Sequence, residues 1–199
     1  YYTELAQNLE LYGKYKALAA SAQFARLSGP QRRIVENELR DFRLGGAELA
    51  PEGKKRFGDI QQELSALSAK FSENLLDATN AFTITVQSAS DVEGIPEDVL
   101  QAAREAAEKD GAAGWKFTLH APSYVPVMQY AHLRPLREQL YRAYVTRASE
   151  FGPAELDNTP LIARELKLRR EEARLLGYAN YAEVSLVPKM AQSPNEVLA

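Results

Sequence analysis

The residues of this chain that could do chemistry are few. It has two histidines, His120 and His132, and no cysteine. A hydrolytic zinc helix carries two imidazoles one turn apart on the same face, with a glutamate beside the first to activate the metal-bound water. Here neither histidine is followed by Glu, and no second histidine lies four residues away. His120 falls at the end of an expected strand and His132 just before an expected helix, so both read as structural. The absence of cysteine rules out disulfides and thiolate metal sites. No residue of this chain is expected to be catalytic, to bind a cofactor or to ligate a metal.

Weaker motifs dissolve on inspection. Tyr12 and Lys16 have the helical Tyr-x-x-x-Lys spacing of some hydride-transfer enzymes. The glycine-rich strand-to-helix turn that such enzymes need for a dinucleotide is missing. The pair therefore reads as an amphipathic helix with a snorkelling lysine. Gly46 and Gly53-Lys54-Lys55 suggest a phosphate loop only faintly, because the spacing is wrong and no hydroxyl residue follows the lysine. Gly46 reads as a helix stop and Gly53 as a first-turn residue. No Gly-x-Ser-x-Gly elbow occurs. Arg32, Arg33, Arg40 and Arg43 are interleaved with Glu36, Glu38 and Asp41. That pattern predicts a solvated helix face with pairs such as Glu36–Arg40.

One charged grouping stands apart. Between Asp157 and Leu176, Leu161, Leu168 and Leu175 mark one edge of an apolar arc, and Ile162, Leu166 and Ala173 mark the other. Glu165, Arg169 and Glu172 fall between them, at spacings that stack them along a face expected to be buried. An unpaired charge there would cost several kcal/mol. Arg169 is expected to pair with one or both acids or with a neighbouring element. An interface with chain beyond this segment is the competing expectation.

The elements around these residues are mainly helical. Tyr1 to Leu5 already carry helical rhythm. The stripe Leu5, Leu9, Tyr12 and a second stripe Leu11, Tyr15, Leu18, Ala22 predict a helix contacted on more than one side. Ser28-Gly29-Pro30 starts a second helix, with Ile34, Val35, Leu39 and Phe42 inward and Gly45-Gly46 at its end. The short loop between the two favours an antiparallel hairpin. Pro51 opens a third helix, in which Phe57, Ile60, Leu64, Leu67, Phe71 and Leu75 recur in a 3-4 rhythm that stops near Asn80. Bundle packing is expected of it rather than a free coiled coil.

The period then falls to two. Phe82, Ile84 and Val86 predict one half-buried strand, and Trp115, Phe117 and Leu119 a second, with a helix from Pro96 to Lys109 between them. Two strands need a supporting surface, so a small sheet on the helices is expected; its direction is open. Pro122 and Pro126 are expected to bracket a short turn. A helix follows over about Arg134–Ser149, with Leu136, Leu140, Tyr144 and Val145 inward. The next runs from Asp157 to Leu176, with Thr159 as N-cap and Pro160 at N1, and turns at Gly177. Ser193-Pro194-Asn195-Glu196 begins another helix, but one turn cannot hold itself. The chain is therefore expected to be cut at this end, and at its start.

The chain has 199 residues, 45% hydrophobic and 26% charged, enough for one buried core. Its net charge of −3 gives no basic footprint for nucleic acid. No apolar run approaches the length of a membrane span.

Several ordered stretches carry a family resemblance. They are Arg40 to Leu49 (RDFRLGGAEL), Tyr124 to Met128, Arg137 to Arg147, Leu168 to Glu183 (LRREEARLLGYANYAE), Ser185-Leu186 and Lys189-Met190-Ala191. Together they resemble the thimet oligopeptidase family of zinc peptidases, over nearly the whole chain. The resemblance implies a larger, mostly helical, two-lobed, cytoplasmic peptidase. In such an enzyme a zinc-bound water attacks the peptide carbonyl, a glutamate of HExxH acts as base, and helical walls admit only short peptides. This chain would be the non-catalytic N-terminal part of those walls, without the zinc-binding motif and inactive alone. Its partner would be the C-terminal catalytic half, with no role for nucleic acid or membrane. The expected architecture is mainly α, a helical bundle with a minor two-stranded β element, in one domain or part-domain. Its parts are a hairpin and third helix (1–80), a β element with its helix (81–121) and further helices (122–199). The rival expectation is a non-enzymatic helical module that binds a protein partner.

Overall fold

The computed structural model describes residues 5–199. The helical rhythm at Tyr1 to Glu4 lies outside the described residues. In order come α1 (Leu9–Ala19), α2 (Gly29–Leu44), α3 (Pro51–Ala81), β1 (Thr83–Val86), α4 (Glu97–Lys109), β2 (Trp115–Thr118) and α5 (Ala121–Tyr130). Then follow α6 (Arg134–Val145), α7 (Thr159–Leu175), α8 (Tyr181–Leu186) and α9 (Pro194–Leu198), with short 3₁₀ turns between elements. The fold is mainly α with one two-stranded sheet. No helix among the described residues is long and apolar enough to cross a membrane.

The chain divides into two compact units: Ser68–Ile162, and the remainder up to Leu67 together with Ala163–Ala199. The divisions fall inside α3 and α7.

In the first unit, α1 is capped by Asn8, whose side chain accepts from Leu11 N. Its buried residue is Tyr12, which packs with Tyr15 against Phe42 of α2 at ring separations of 5.3 and 6.0 Å. Leu9 is exposed, so the inward face of α1 is narrower than its apolar stripes. α2 opens with a full capping box between Ser28 and Gln31. Val35 and Phe42 are buried there, but Ile34 is exposed. Phe57 and Ile60 of α3, with Leu168 and Ala173 of α7, are buried in the same unit. α7 ends at Leu175, and Gly177 takes φ +84 while Tyr178 N donates to the Ala173 carbonyl. That left-handed stop suits glycine because a Cβ is strained there. α8 is capped by Asn180 and α9 by Ser193, each side chain accepting from a backbone N–H three residues on.

The second unit is built around the hairpin of β1 and β2. The strands are antiparallel, with Ile84 opposite Phe117 and Val86 opposite Trp115. The pairing direction, open from the sequence, is antiparallel by this register, and Gly114 marks the close approach of the two strands. It enters β2 at φ +100, and a Cβ there would strike the Val86 carbonyl. Phe117 and Leu119 lie in an apolar cluster with Val92, Ile95, Leu100, Val127, Leu136 and Leu140. α4 and α5 supply the surface that two strands require.

Two local expectations fail here. Pro122 and Pro126 do not bracket a turn: residues Ala121–Tyr130 are helical, with Pro126 inside. Pro122 sits at the N-terminal end, where a missing N–H is harmless. Pro126 forfeits one hydrogen bond, and burial of Val127 offsets the loss. α6 also stops at Val145, short of Ser149, and Val145 is exposed. The chain leaves through Ala148 at φ +48, an unusual conformation for a residue with a side chain.

Candidate functional site

The histidines take separate structural positions. His120 precedes α5, and its N–H donates to Thr118 Oγ1 at 3.3 Å. His132 N donates to the Glu93 carbonyl at 2.8 Å, in the α5–α6 turn that Arg137 clamps by donating to the Ala131 and His132 carbonyls. Among the described residues, no three of His, Asp or Glu gather as metal ligands could.

Tyr12 is set against the catalytic use its spacing suggested. Its hydroxyl donates to Glu48, and the Lys16 ammonium lies 5.2 Å from its ring centroid. Burial, then the Glu48 carboxylate, push its pKa up to about 12, whereas a proton-relay tyrosine needs the opposite. Gly46 closes α2, Gly53 lies in the first turn of α3, and Lys55 pairs with Asp59 at 3.0 Å. On α2, Arg40 bonds Asp41 and Asn37 at 2.8 Å each, and Glu36 faces Arg33 at 3.8 Å. The expected Glu36–Arg40 pair does not form, because these nearer partners take both groups.

The Glu165–Arg169–Glu172 grouping is brought together only in part. Arg169 Nη2 lies 3.5 Å from Glu165 Oε2, and its guanidinium stands 5.2 Å from the Tyr181 ring of α8. Glu172 occupies the centre of the buried face, with the residue only 7% exposed. Its Oε2 and the Gln61 Nε2 are both buried without a hydrogen-bond partner. Burial raises the Glu172 pKa, while the nearby Gln61 amide and the Arg169 charge oppose the rise. Ile162 and Leu166 are exposed, so the buried arc of α7 centres on Leu168 and Glu172 rather than on the whole apolar set.

Beside this grouping runs a feature absent from the sequence reading. Arg56 forks onto Glu171 at 2.6 Å through both contacts, and Arg164 onto Glu63 at 2.6 and 2.7 Å. The earlier residue on α3 meets the later one on α7, so these helix segments run antiparallel. Each bond holds its carboxyl below the ordinary glutamate value and raises its arginine. The signal was present: Arg56 and Glu63 are two turns apart, as are Arg164 and Glu171. Antiparallel alignment sets each arginine opposite the other helix's glutamate.

In the second unit, the unread feature is a buried amide pair. Asn74 Nδ2 donates to Asn158 Oδ1 at 2.9 Å, and Asn158 Nδ2 donates to the Phe71 carbonyl at 3.1 Å. Each asparagine is 2% exposed. The Asn158 carbonyl accepts the first helical bond of α7 from Ile162 N, which moves the cap position one residue before Thr159.

In this arrangement the charges are spent largely on one another. Residues 1–56 match the N-terminal domain of the neurolysin and thimet oligopeptidase group. Residues 127–199 match peptidase family M3. The chain belongs to the thimet oligopeptidase family. It is 46% identical to oligopeptidase A of Haemophilus influenzae over 100% of its own length, which is 29% of that protein. It is 43% identical to oligopeptidase A of Escherichia coli, again over 100% of itself and 29% of the relative. A probable cytosolic oligopeptidase A of Arabidopsis thaliana is 44% identical over 94% of this chain and 27% of that protein. The chain thus spans under a third of the length of these curated relatives.

Proposed function

We propose that this chain is a non-catalytic helical part of a zinc-dependent oligopeptidase that hydrolyses short peptides in the cytoplasm, and that it forms part of the wall of the substrate channel. The observation that carries the reading is the match to oligopeptidase A from end to end, in a chain whose histidines serve turns and caps. The residues present do not fit a zinc ion. The HExxH pattern is missing and no three candidate ligands gather among the described residues. Zinc, and the glutamate that would activate its water, belong in this reading to chain outside these residues.

The contribution of this part is shape. The paired forks between α3 and α7 fix the two helices in register, and the apolar core under the hairpin fixes the second unit. Rigid walls of this kind admit an unfolded peptide and exclude a folded protein.

Hydrolysis of a quenched short peptide tests the reading. The full-length protein should cleave it, lose activity to a chelator and recover with zinc. The isolated 199-residue segment should show no turnover with zinc added. Zinc-dependent turnover by the segment, or none by the full-length protein, overturns the proposal.

A further inference from the structure

The second unit holds a small apolar cavity of about 260 Å³ with one cation on its wall, Arg147. Its apolar lining includes Phe82, Leu119, Leu156, Ala78, Ala143 and Ala148. That volume falls just under the roughly 300–1,000 Å³ typical of sites for drug-sized ligands. It suits one side chain and not a run of residues.

Arg147 is fixed before any ligand arrives. Its guanidinium lies 3.7 Å from the Tyr144 ring centroid, and Tyr144 is itself stacked on Tyr124 at 4.2 Å and 12°. Its Nε donates to the Tyr144 carbonyl at 2.9 Å and its Nη1 to Thr79 Oγ1 at 3.0 Å. Thr79 is held in turn, donating to the Leu75 carbonyl at 2.7 Å. No carboxylate among the described residues forms an ion pair with Arg147, and its Nη2 makes no hydrogen bond there. A guanidinium has five N–H donors, so several remain to be satisfied. Next to Arg147, the turn through Ala148 is held by its carbonyl, which accepts from Asn158 N at 3.0 Å.

From these contacts we propose a binding site for a small carboxylate bearing one branched or aromatic apolar group, the chemistry of a peptide's C-terminal residue. The guanidinium fork matches a planar carboxylate in two parallel bonds. The apolar lining receives the side chain. A phosphate is a poorer fit: a single cation faces it, and the remaining wall offers few donors. An uncharged apolar group would leave the fixed guanidinium without an anion. The site goes beyond the peptidase reading, because binding here requires no hydrolysis and no metal.

The test uses full-length protein carrying ¹³C-labelled alanine methyls. Ala78, Ala81, Ala143 and Ala148 lie on the cavity wall and report occupancy directly. The probes are N-acetyl-leucine, its neutral amide N-acetyl-leucinamide, and 4-methylpentanoate, which keeps the carboxylate and isobutyl group without a peptide unit. N-acetyl-leucine should shift these methyls saturably, with the amide about tenfold weaker or more, as expected for losing a charged hydrogen-bond pair. Binding of 4-methylpentanoate within about threefold of N-acetyl-leucine assigns the recognition to the carboxylate and side chain, as proposed; a larger loss makes the peptide unit the determinant and overturns it. Arg147→Gln should bring acid and amide to equal affinity. Ala143→Leu, which leaves Arg147 in place, should abolish binding of both while the melting temperature stays near the parent's. Equal affinity for acid and amide in the parent protein overturns the proposal. So does the absence of any saturable shift, as when another part of the chain fills the cavity.

Discussion

The two compact units keep their shape by different means. The unit of Ser68–Ile162 is organised by burial: Phe117, Leu119, Val127 and Leu140 are 0–2% exposed in one apolar cluster beneath the hairpin. The other unit has a smaller aromatic cluster at Tyr12 and Phe42, and registers α3 against α7 through exposed forks and a half-paired charged row. Apolar burial is not subject to charge screening, whereas exposed ion pairs are screened. The units should therefore answer different perturbations.

The largest effect is expected from Phe117→Ala. Removing a fully buried aromatic should cost about 3–5 kcal/mol, read as a lowered denaturant midpoint of the second unit. An effect under about 1 kcal/mol would break the claim that burial there governs stability. Asn158→Ala comes next. It leaves the buried Asn74 amide without its acceptor, at a cost of about 1–3 kcal/mol. Urea titration monitored at the single Trp115 measures it.

Glu172→Gln sharpens the comparison in the other direction. The folded state holds the Glu172 pKa above its ordinary value of 4.5. The unfolded chain therefore loses its proton first as pH rises, and stability falls between the unfolded and folded values and stays lost above them. The variant should match the parent in acid and be more stable at neutral pH, as thermal melts across that range would show. Glu63 and Glu171 run the opposite way. Their pKa values are lowered, so their contribution is present above 4.5 and is lost as pH falls through the folded values. The smallest effect is expected at Arg164→Ala: a modest destabilisation that fades with added salt, seen in melts at low and high ionic strength. A salt-independent loss would mean that packing of the arginine stem, and not its charge, matters.

Much of this was legible in the sequence. Ser28, Gly45-Gly46, Pro51, Gly177 and Ser193 punctuate helices because caps and stops act within a few residues. The alternation at Ile84–Val86 and Trp115–Leu119 marked both strands for the same reason. Pro126 misled, because tertiary burial of Val127 overrode a local penalty. Val145, Ile34 and Leu166 misled because an apolar residue need not be inside. The Arg56–Glu171 and Asn74–Asn158 pairs were invisible to periodicity, since their partners are far apart along the chain. Arg147 carries no signal in the sequence, because its setting comes from the rings stacked beside it and not from any spacing.

The central claim is that these helices are scaffold and that the metal is held elsewhere in the protein. Zinc content and peptide turnover of the full-length His120→Ala, His132→Ala double variant test it most directly. Both should equal the parent's; loss of zinc from the double variant would contradict the account.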